Sequence, residues 1–479
     1  MPHLHRRRAR ELPAIELTQH TVGYALVIGT GDMTSEAQSL ALSLVDDPEH
    51  DLVVVDLPVD CPISVWDAVA TELRRGSRGV RIMLCGWSRQ ATALVGQWLS
   101  ERLNRMIVVP DGAVVQGAGG TLFVNSGWNT GWVRFQPGHA PQWEAKRFPR
   151  PSWESLAIAE LSLISSATAA ELLPAGVWIR SRDHEESLAQ SRPRLVDSLP
   201  CQPEILSIVL GSPGTPPLAI EDVTRFCMML PDDIRPKVRF VEYGPIMLPA
   251  GGTFGQRMAD QLGSEVVCYT GMPVGPANCP DVFTVRPDGV LGWNTFAQQV
   301  AYQSQNRGNP AAAPGLRAYR RPVPGLTEIA PAVYEYAPDV VLEVVQSGLW
   351  VRPPYEVANA ATIRATPADP VEQLIVFEAA DAEQAGRMRM VGEHVFDQFD
   401  QPTRSISRLI SASTVRTARI SVAGRALLAE MELSALDGFE PTSDIPHPMA
   451  DSPPTGPATT ESLNAGAASA VSMEAFAPT

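Results

Sequence analysis

Lysine is almost missing from this chain of 479 residues: of its 38 basic side chains only Lys146 and Lys237 are lysine, and the rest are arginine. With a net charge of −15, the balance excludes a general binder of nucleic acid or anionic membrane, since either needs a net positive face. Arginine together with abundant Ala and Pro reads as the codon bias of a GC-rich genome. Cysteine is scarce too. The six, at 61, 85, 201, 227, 268 and 279, form no CxxC pair and no His/Cys cluster with zinc spacing. Neither a structural zinc nor a disulfide framework is expected, and the thiols read as buried side chains of a reducing compartment. No window holds the roughly 18 apolar residues that a membrane span requires. No apolar stretch follows the basic arm His3 to Arg10, so no cleaved secretory signal is expected. A soluble, cytoplasmic protein is the expectation, with leaderless export left open.

What is there is globular: 44% of residues are apolar and 19% charged, and the length suggests about three domains. From residue 21 to 137, apolar strands alternate with helical patterns. Strands are expected at Tyr24–Ile28, Leu52–Val55, Val80–Leu84 and Met106–Val109, with shorter ones near Leu122 and Val133. Helices are expected at Ser35–Val45, at Ile63–Leu73 between Pro62 and Gly76, and at Gln90–Leu103. Continuous apolar strands separated by amphipathic helices indicate a parallel sheet covered on both faces.

Residues 205–303 repeat the pattern. Val80-Arg81-Ile82-Met83-Leu84-Cys85-Gly86 aligns with Val238-Arg239-Phe240-Val241-Glu242-Tyr243-Gly244. A Gly-Gln pair lies within the next helix in each case, at Gly96-Gln97 and Gly255-Gln256. Gly-Trp-Asn-Thr then recurs at 127–130 and 292–295. Order and spacing together point to duplication. On this alignment Ile205–Leu210 stands opposite Leu52–Val55, so the first copy carries an extra leading strand and helix.

The expected fold is α/β: two tandem duplicated domains with mainly parallel sheets, then an α+β domain and a disordered tail. The segments are a basic arm (1–20), copy one (21–137), a connecting segment with a helix at 155–173 (138–204), copy two (205–303), a Pro-rich linker (304–325), an α+β domain (326–436) and an acidic tail (437–479). In the third region, strands are expected at Val340–Val345 and Leu374–Glu378, and helices from Ala380 toward Phe399 and from Ala423 to Leu433. The tail has no Lys or Arg and too little apolar surface to offset ordering entropy.

The reactive candidate is Cys85, where a strand ends and a helix is about to start. Open α/β sheets bind ligands there, and a helix amino end stabilises a thiolate. Cys85-Gly86, the helix with Gly96-Gln97, the turn Pro110-Asp111-Gly112 and the closing Trp132, Phe135 and Pro137-Gly138 together resemble a family. They are similar to the single-cysteine α/β domains of large, toxin- or secretion-associated actinobacterial proteins, which in turn resemble caspase-like cysteine peptidases. The resemblance covers roughly Val80 to Gly138. It implies a thiol nucleophile and a histidine at the carboxyl end of the neighbouring strand.

That strand ends Val55-Asp56-Leu57-Pro58, without histidine. His50 is at its opposite end, roughly 15–20 Å away at about 3.3 Å per residue. His139, just past the closing strand, is the other candidate base. In copy two Tyr243 replaces the cysteine. The chain therefore reads as a non-catalytic interaction or scaffold protein on a degenerate cysteine-hydrolase-like fold, with protein as its expected partner. The alternative is a cysteine hydrolase using Cys85, with His139 or a residue from the third region as base.

Other motifs are weaker. Gly86-Trp87-Ser88-Arg89-Gln90 lacks the final glycine of a nucleophile elbow. Gly29-Thr30-Gly31-Asp32 could hold a phosphate, but Thr34 stands where a third glycine belongs, and a turn capped by Asp32, Thr34 or Ser35 explains it. Arg320, Ser411-Ala412-Ser413 and Glu430-Met431-Glu432 follow the residue order of arginine-type ADP-ribosyltransferases. Trp128 and Trp293 read as packing residues. No cofactor or metal is expected, and the sequence fixes no oligomeric state.

Overall fold

A computed structural model describes residues 17–58, 61, 63–73, 76–84, 89–125, 130–159, 164–249, 252–305, 313–379 and 382–415. The basic arm His3–Arg10, Cys85, Ser88, Trp128, the helix expected at 423–433 with Glu430 and Glu432, and the tail all lie outside the described residues.

The first sheet has seven strands standing in chain order. They are β1 (Thr18–Val22), β2 (Ala25–Gly29), β3 (His50–Asp56), β4 (Gly79–Leu84), β5 (Ile107–Pro110), β6 (Trp132–Phe135) and β7 (Gln142–Ala145). β2 to β5 are parallel, and β1, β6 and β7 add antiparallel flanks. Helices α1 (Ser35–Ser43), α2 (Ile63–Leu73) and α3 (Arg89–Leu103) make the crossovers.

Strand alternation divides the core into two layers. Val53, Val55 and Ile82 pack with Val69 of α2 and Leu99 of α3. Leu52, Val54 and Met83 pack on the other face with Ala37 and Leu40 of α1. The strand order never reverses, so the α1 crossover has the opposite hand to the next two. That is rare, since nearly all such connections share one hand.

The second sheet has the same order and the same directions. Its strands are β8 (Thr168–Leu173), β9 (Gly176–Ser181), β10 (Leu206–Leu210), β11 (Val238–Glu242), β12 (Val266–Tyr269), β13 (Ala297–Tyr302) and β14 (Gly315–Tyr319). β9 to β12 are parallel, flanked by antiparallel β8, β13 and β14. Helices α4 (Glu185–Ser198), α5 (Ile220–Met229) and α6 (Phe254–Leu262) connect them. Each large sheet is accompanied by a three-stranded antiparallel one.

Three details differ from the sequence reading. The helix expected at 155–173 is a short helix, Leu156–Ala159, followed after a gap by strand β8. The leading strand and helix assigned to the first copy alone have counterparts in β9 and α4. Gly315–Tyr319, inside the expected linker, is the edge strand of the second sheet.

The Gly-Gln pairs mark close helix-to-sheet contact. A Cβ on Gly96 would lie 2.7 Å from Phe135 of β6, and one on Gly255 would lie 2.2 Å from Tyr302 of β13. Only glycine lets each helix approach its own antiparallel strand so closely.

The third sheet has six strands: β15 (Thr327–Ala330), β16 (Val333–Ala337), β17 (Val340–Val345), β18 (Gly348–Arg352), β19 (Gln373–Phe377) and β20 (Ser407–Ser411). The first four are antiparallel, and β18, β19 and β20 are parallel. Helix α7 (Ala382–Gln398) packs Met388, Val391 and Val395 against it. Among the described residues no helix is long and apolar enough to cross a membrane.

Candidate functional site

His139 lies in an exposed turn after β6, with Nδ1 2.9 Å from the Pro137 carbonyl. Phe135 pairs with Ile107, the first residue of β5, so this turn is at the amino edge of the parallel strands. Leu84, which precedes Cys85, ends β4 at the carboxyl edge. Four residues separate Leu84 from the amino-edge position of Val80, roughly 13 Å of strand. His50 is at the amino edge too. It is buried with Nδ1 2.9 Å from Asp47, to which Arg81 also donates at 3.1 Å. Neither described histidine near Cys85 in sequence stands at the carboxyl edge.

The possible phosphate turn is closed by the protein's own anion. Asp56, ending β3, accepts from the Thr34 amide at 2.8 Å and the Thr34 hydroxyl at 3.0 Å. Thr34 caps α1 by accepting from the Ala37 amide at 3.2 Å. A phosphate at this helix start would meet a carboxylate already in place.

In the second sheet the strand end matching Cys85 is sealed. The amides of Tyr243 and Gly244 both donate to the Leu210 carbonyl, at 3.0 and 2.8 Å. Gly244 presses on the neighbouring loop so closely that a Cβ there would lie 2.1 Å from the Ser212 nitrogen. Tyr243 is buried, and its hydroxyl has no hydrogen-bond partner among the described residues.

One residue earlier, Glu242 takes the place that buried Leu84 holds in the first sheet. Its carboxylate faces a cavity of about 340 Å³ at the carboxyl edge of β11 and β12. Glu242 makes no hydrogen bond or ion pair among the described residues. Solvent reaches it inside the cavity while protein crowds around it, and that desolvation pushes its pKa up to about 7. Burial, and then the Glu242 charge, raise the Cys268 thiol well above its ordinary value. The Tyr302 hydroxyl, also raised by burial, donates to Gln346 at 3.3 Å.

The cavity's far wall comes from the third domain. Trp293, in the second Gly-Trp-Asn-Thr, donates from its indole to the Asp369 carbonyl at 2.8 Å. Thr284 donates to the Pro370 carbonyl at 2.9 Å. Trp293 therefore ties the strands beside the second sheet to the loop that leads into β19 of the third sheet.

Arg320, directly after β14, is a structural residue. It donates to the Thr295 and Asn294 carbonyls at 3.0 and 2.8 Å and stacks over Phe296 at 3.9 Å. Ser411 and Ser413 are hydrogen-bonded to each other at 2.8 Å. Ser413 joins Asn359 and Glu378 around a cavity of about 410 Å³, and Arg320 is not among its lining residues. A further cavity, of about 720 Å³, is at the amino edge of the second sheet, where Arg235 is paired with Asp232 and Arg317 with Glu265.

Among the described residues no group of three or more His, Cys, Asp or Glu side chains could hold a metal ion. The five described cysteines are free thiols. Comparison with family models, curated proteins and solved structures finds no match to this chain. Sequence reasoning passed over Glu242, although the alignment already set it against Leu84. A carboxylate replacing a core leucine at a strand end is the signal that identifies it.

Proposed function

We propose that this chain is a non-catalytic interaction protein built on two duplicated α/β units of a degenerate cysteine-hydrolase-like, distantly caspase-like frame. The observation that carries the reading is the position of His139, the expected base, at the amino edge of a sheet in which β4, the strand that precedes Cys85 in sequence, ends at the carboxyl edge. General-base activation of a thiol needs hydrogen-bond reach, about 3 Å. The sealed Tyr243 junction supports the same reading for the second unit.

Duplication is supported by the shared strand order and by the matched contacts Gly96–Phe135 and Gly255–Tyr302. The partner we infer is a protein, because a net charge of −15 repels nucleic acid and anionic lipid. Free thiols fit a reducing, cytoplasmic setting.

The test compares full-length wild type with Cys85→Ala on fluorogenic ester and peptide substrates. Equal background rates are expected. Turnover that depends on Cys85 would replace this reading with a hydrolase whose base is not His139.

A further inference from the structure

We propose that the cavity of about 720 Å³ at the amino edge of the second sheet binds a small organic carboxylate, which pairs with the Arg239 guanidinium. Cys85 has no part in this site, so its test stands whether or not the chain is catalytic.

Arg81 in β4 and Arg239 in β11 are matched residues, each following the valine that opens the aligned runs. Arg81 is buried and neutralised by the fold. It donates to Asp47 at 3.1 Å and to Glu144 at 2.8 Å, and it stacks on Phe148 at 4.2 Å. Arg239 is half-buried and has no carboxylate partner among the described residues. It donates to the Gln299 side-chain oxygen at 3.1 Å and to the Pro236 and Val238 carbonyls at 3.0 and 2.7 Å, all neutral acceptors. These bonds use Nε and Nη1 and leave Nη2 without an acceptor among the described residues.

The loss of a counter-charge follows the register of the two sheets. Glu144 is the extra residue where β7 bulges against β6, between the pairs Trp132–Ala145 and Val133–Trp143. β14 bulges against β13 at the matching place, between the pairs Gln299–Ala318 and Val300–Leu316, and its extra residue is Arg317. Val133 and Val300 each stand two residues before the aromatic that meets the helix glycine, Phe135 and Tyr302, which fixes the match. A bulge re-aims a side chain. Where the first unit turns a carboxylate toward its arginine, the second has a further cation on the wall of the cavity that Arg239 lines.

The other charges of this cavity are already matched, Arg317 with Glu265 and Arg235 with Asp232. Arg239 is the cation left to recognise an anion, and a guanidinium holds a carboxylate by charge and hydrogen bond together. One unmatched positive charge balances a monocarboxylate and not a doubly charged phosphate. The volume is that of a small-molecule site. Met228 is exposed and Leu262 partly buried on its wall, and they offer apolar surface to the body of the ligand.

The experiment is ligand-observed NMR titration of the full chain at fixed ionic strength with phenylacetate, phenethyl alcohol and phenethylamine, which share a ring and differ in charge. Phenylacetate is expected to bind with Kd of about 1 mM, the range for a ligand of about ten heavy atoms. It should bind about tenfold more tightly than the alcohol, and the amine should not bind. In Arg239→Gln the preference for the acid should vanish while cooperative melting is retained. Met228→Glu, an exposed change that sets a negative charge on the cavity wall, should weaken phenylacetate about threefold and leave the alcohol unchanged. Absence of saturable phenylacetate binding, equal affinity for the alcohol, a preference that survives in Arg239→Gln, or phenylacetate binding unmoved by Met228→Glu would each overturn the proposal.

Discussion

The indole of Trp293 donates to the backbone carbonyl of Asp369 at 2.8 Å, joining the second α/β unit to the loop that leads into β19 of the third domain. The contact depends on its neighbour as well. A Cβ on Gly292 would lie 2.4 Å from the Pro370 carbonyl, so only glycine admits the loop there.

Trp293→Ala is therefore expected to cost about 3–5 kcal/mol, as large-to-small changes of buried aromatics do. Trp293→Phe should lose mainly the hydrogen bond, about 1 kcal/mol. Urea denaturation of the full chain followed by far-UV circular dichroism separates the two. Equal, small losses would show that the loop is not held here.

A buried cation ties the strand Arg147–Phe148 of the three-stranded sheet beside the first large sheet to the second large sheet. Arg147 pairs with Glu154, both fully buried, and its guanidinium reaches the Leu173, Pro174 and Gly176 carbonyls around the β8–β9 turn. Arg147→Ala would strand Glu154 and leave three carbonyls short of a donor, a loss of about 3–5 kcal/mol. Adding Glu154→Leu should recover part of that loss, since the stranded charge is removed. A double variant less stable than Arg147→Ala, again by urea denaturation, would contradict this.

The repeated glycines give a matched pair of tests. Gly96→Ala and Gly255→Ala each push a methyl into an aromatic ring, at 2.7 and 2.2 Å respectively. Overpacking costs about 1–3 kcal/mol, and the tighter Gly255 contact should cost more. Thermal melts of the two variants check both the sign and the order.

Glu242 gives a pH signature. Its folded pKa is near 7 against an ordinary 4.5, so the folded state holds the proton longer than the unfolded one. Stability contributed by the protonated form is present below about pH 4.5 and is lost as pH rises toward 7, with no further change from this group above that. Cys268 and Tyr302, the titratable neighbours, stay neutral throughout this window because burial raises both. Relative to wild type, Glu242→Gln should gain about 1 kcal/mol between pH 5 and pH 8, a value discounted because solvent reaches the carboxylate. Parallel stability–pH curves for the two proteins would refute the shift.

Much of this architecture was legible in the sequence, and the exceptions have physical causes. Ile63–Leu73 stands where Pro62 and Gly76 bound it, and Val340–Val345 is the strand its unbroken apolar run implies. Thr168–Leu173 reads as helix because Ala, Glu and Leu favour one. Pairing with β9 across Pro174-Ala175 overrides that propensity. Gly176 was the available signal: a Cβ there would lie 2.0 Å from the Ser207 carbonyl. Gly315–Tyr319 was hidden by the Pro-rich residues around it, since an edge strand needs only one partner. At the site, the alignment drew attention to Cys85 and Tyr243, whereas the unpaired charge stands one residue earlier. Which edge of the sheet His139 occupies depends on the antiparallel direction of β6, and periodicity alone cannot supply that.

The most direct test of a non-catalytic first unit is alkylation of native protein with iodoacetamide at pH 6, read site by site by mass spectrometry. Cys279 is exposed and serves as the internal reference. Cys85 is expected to react no faster than Cys279. Selective labelling of Cys85 about 100-fold faster would reveal an activated thiolate of low pKa and contradict the non-catalytic reading.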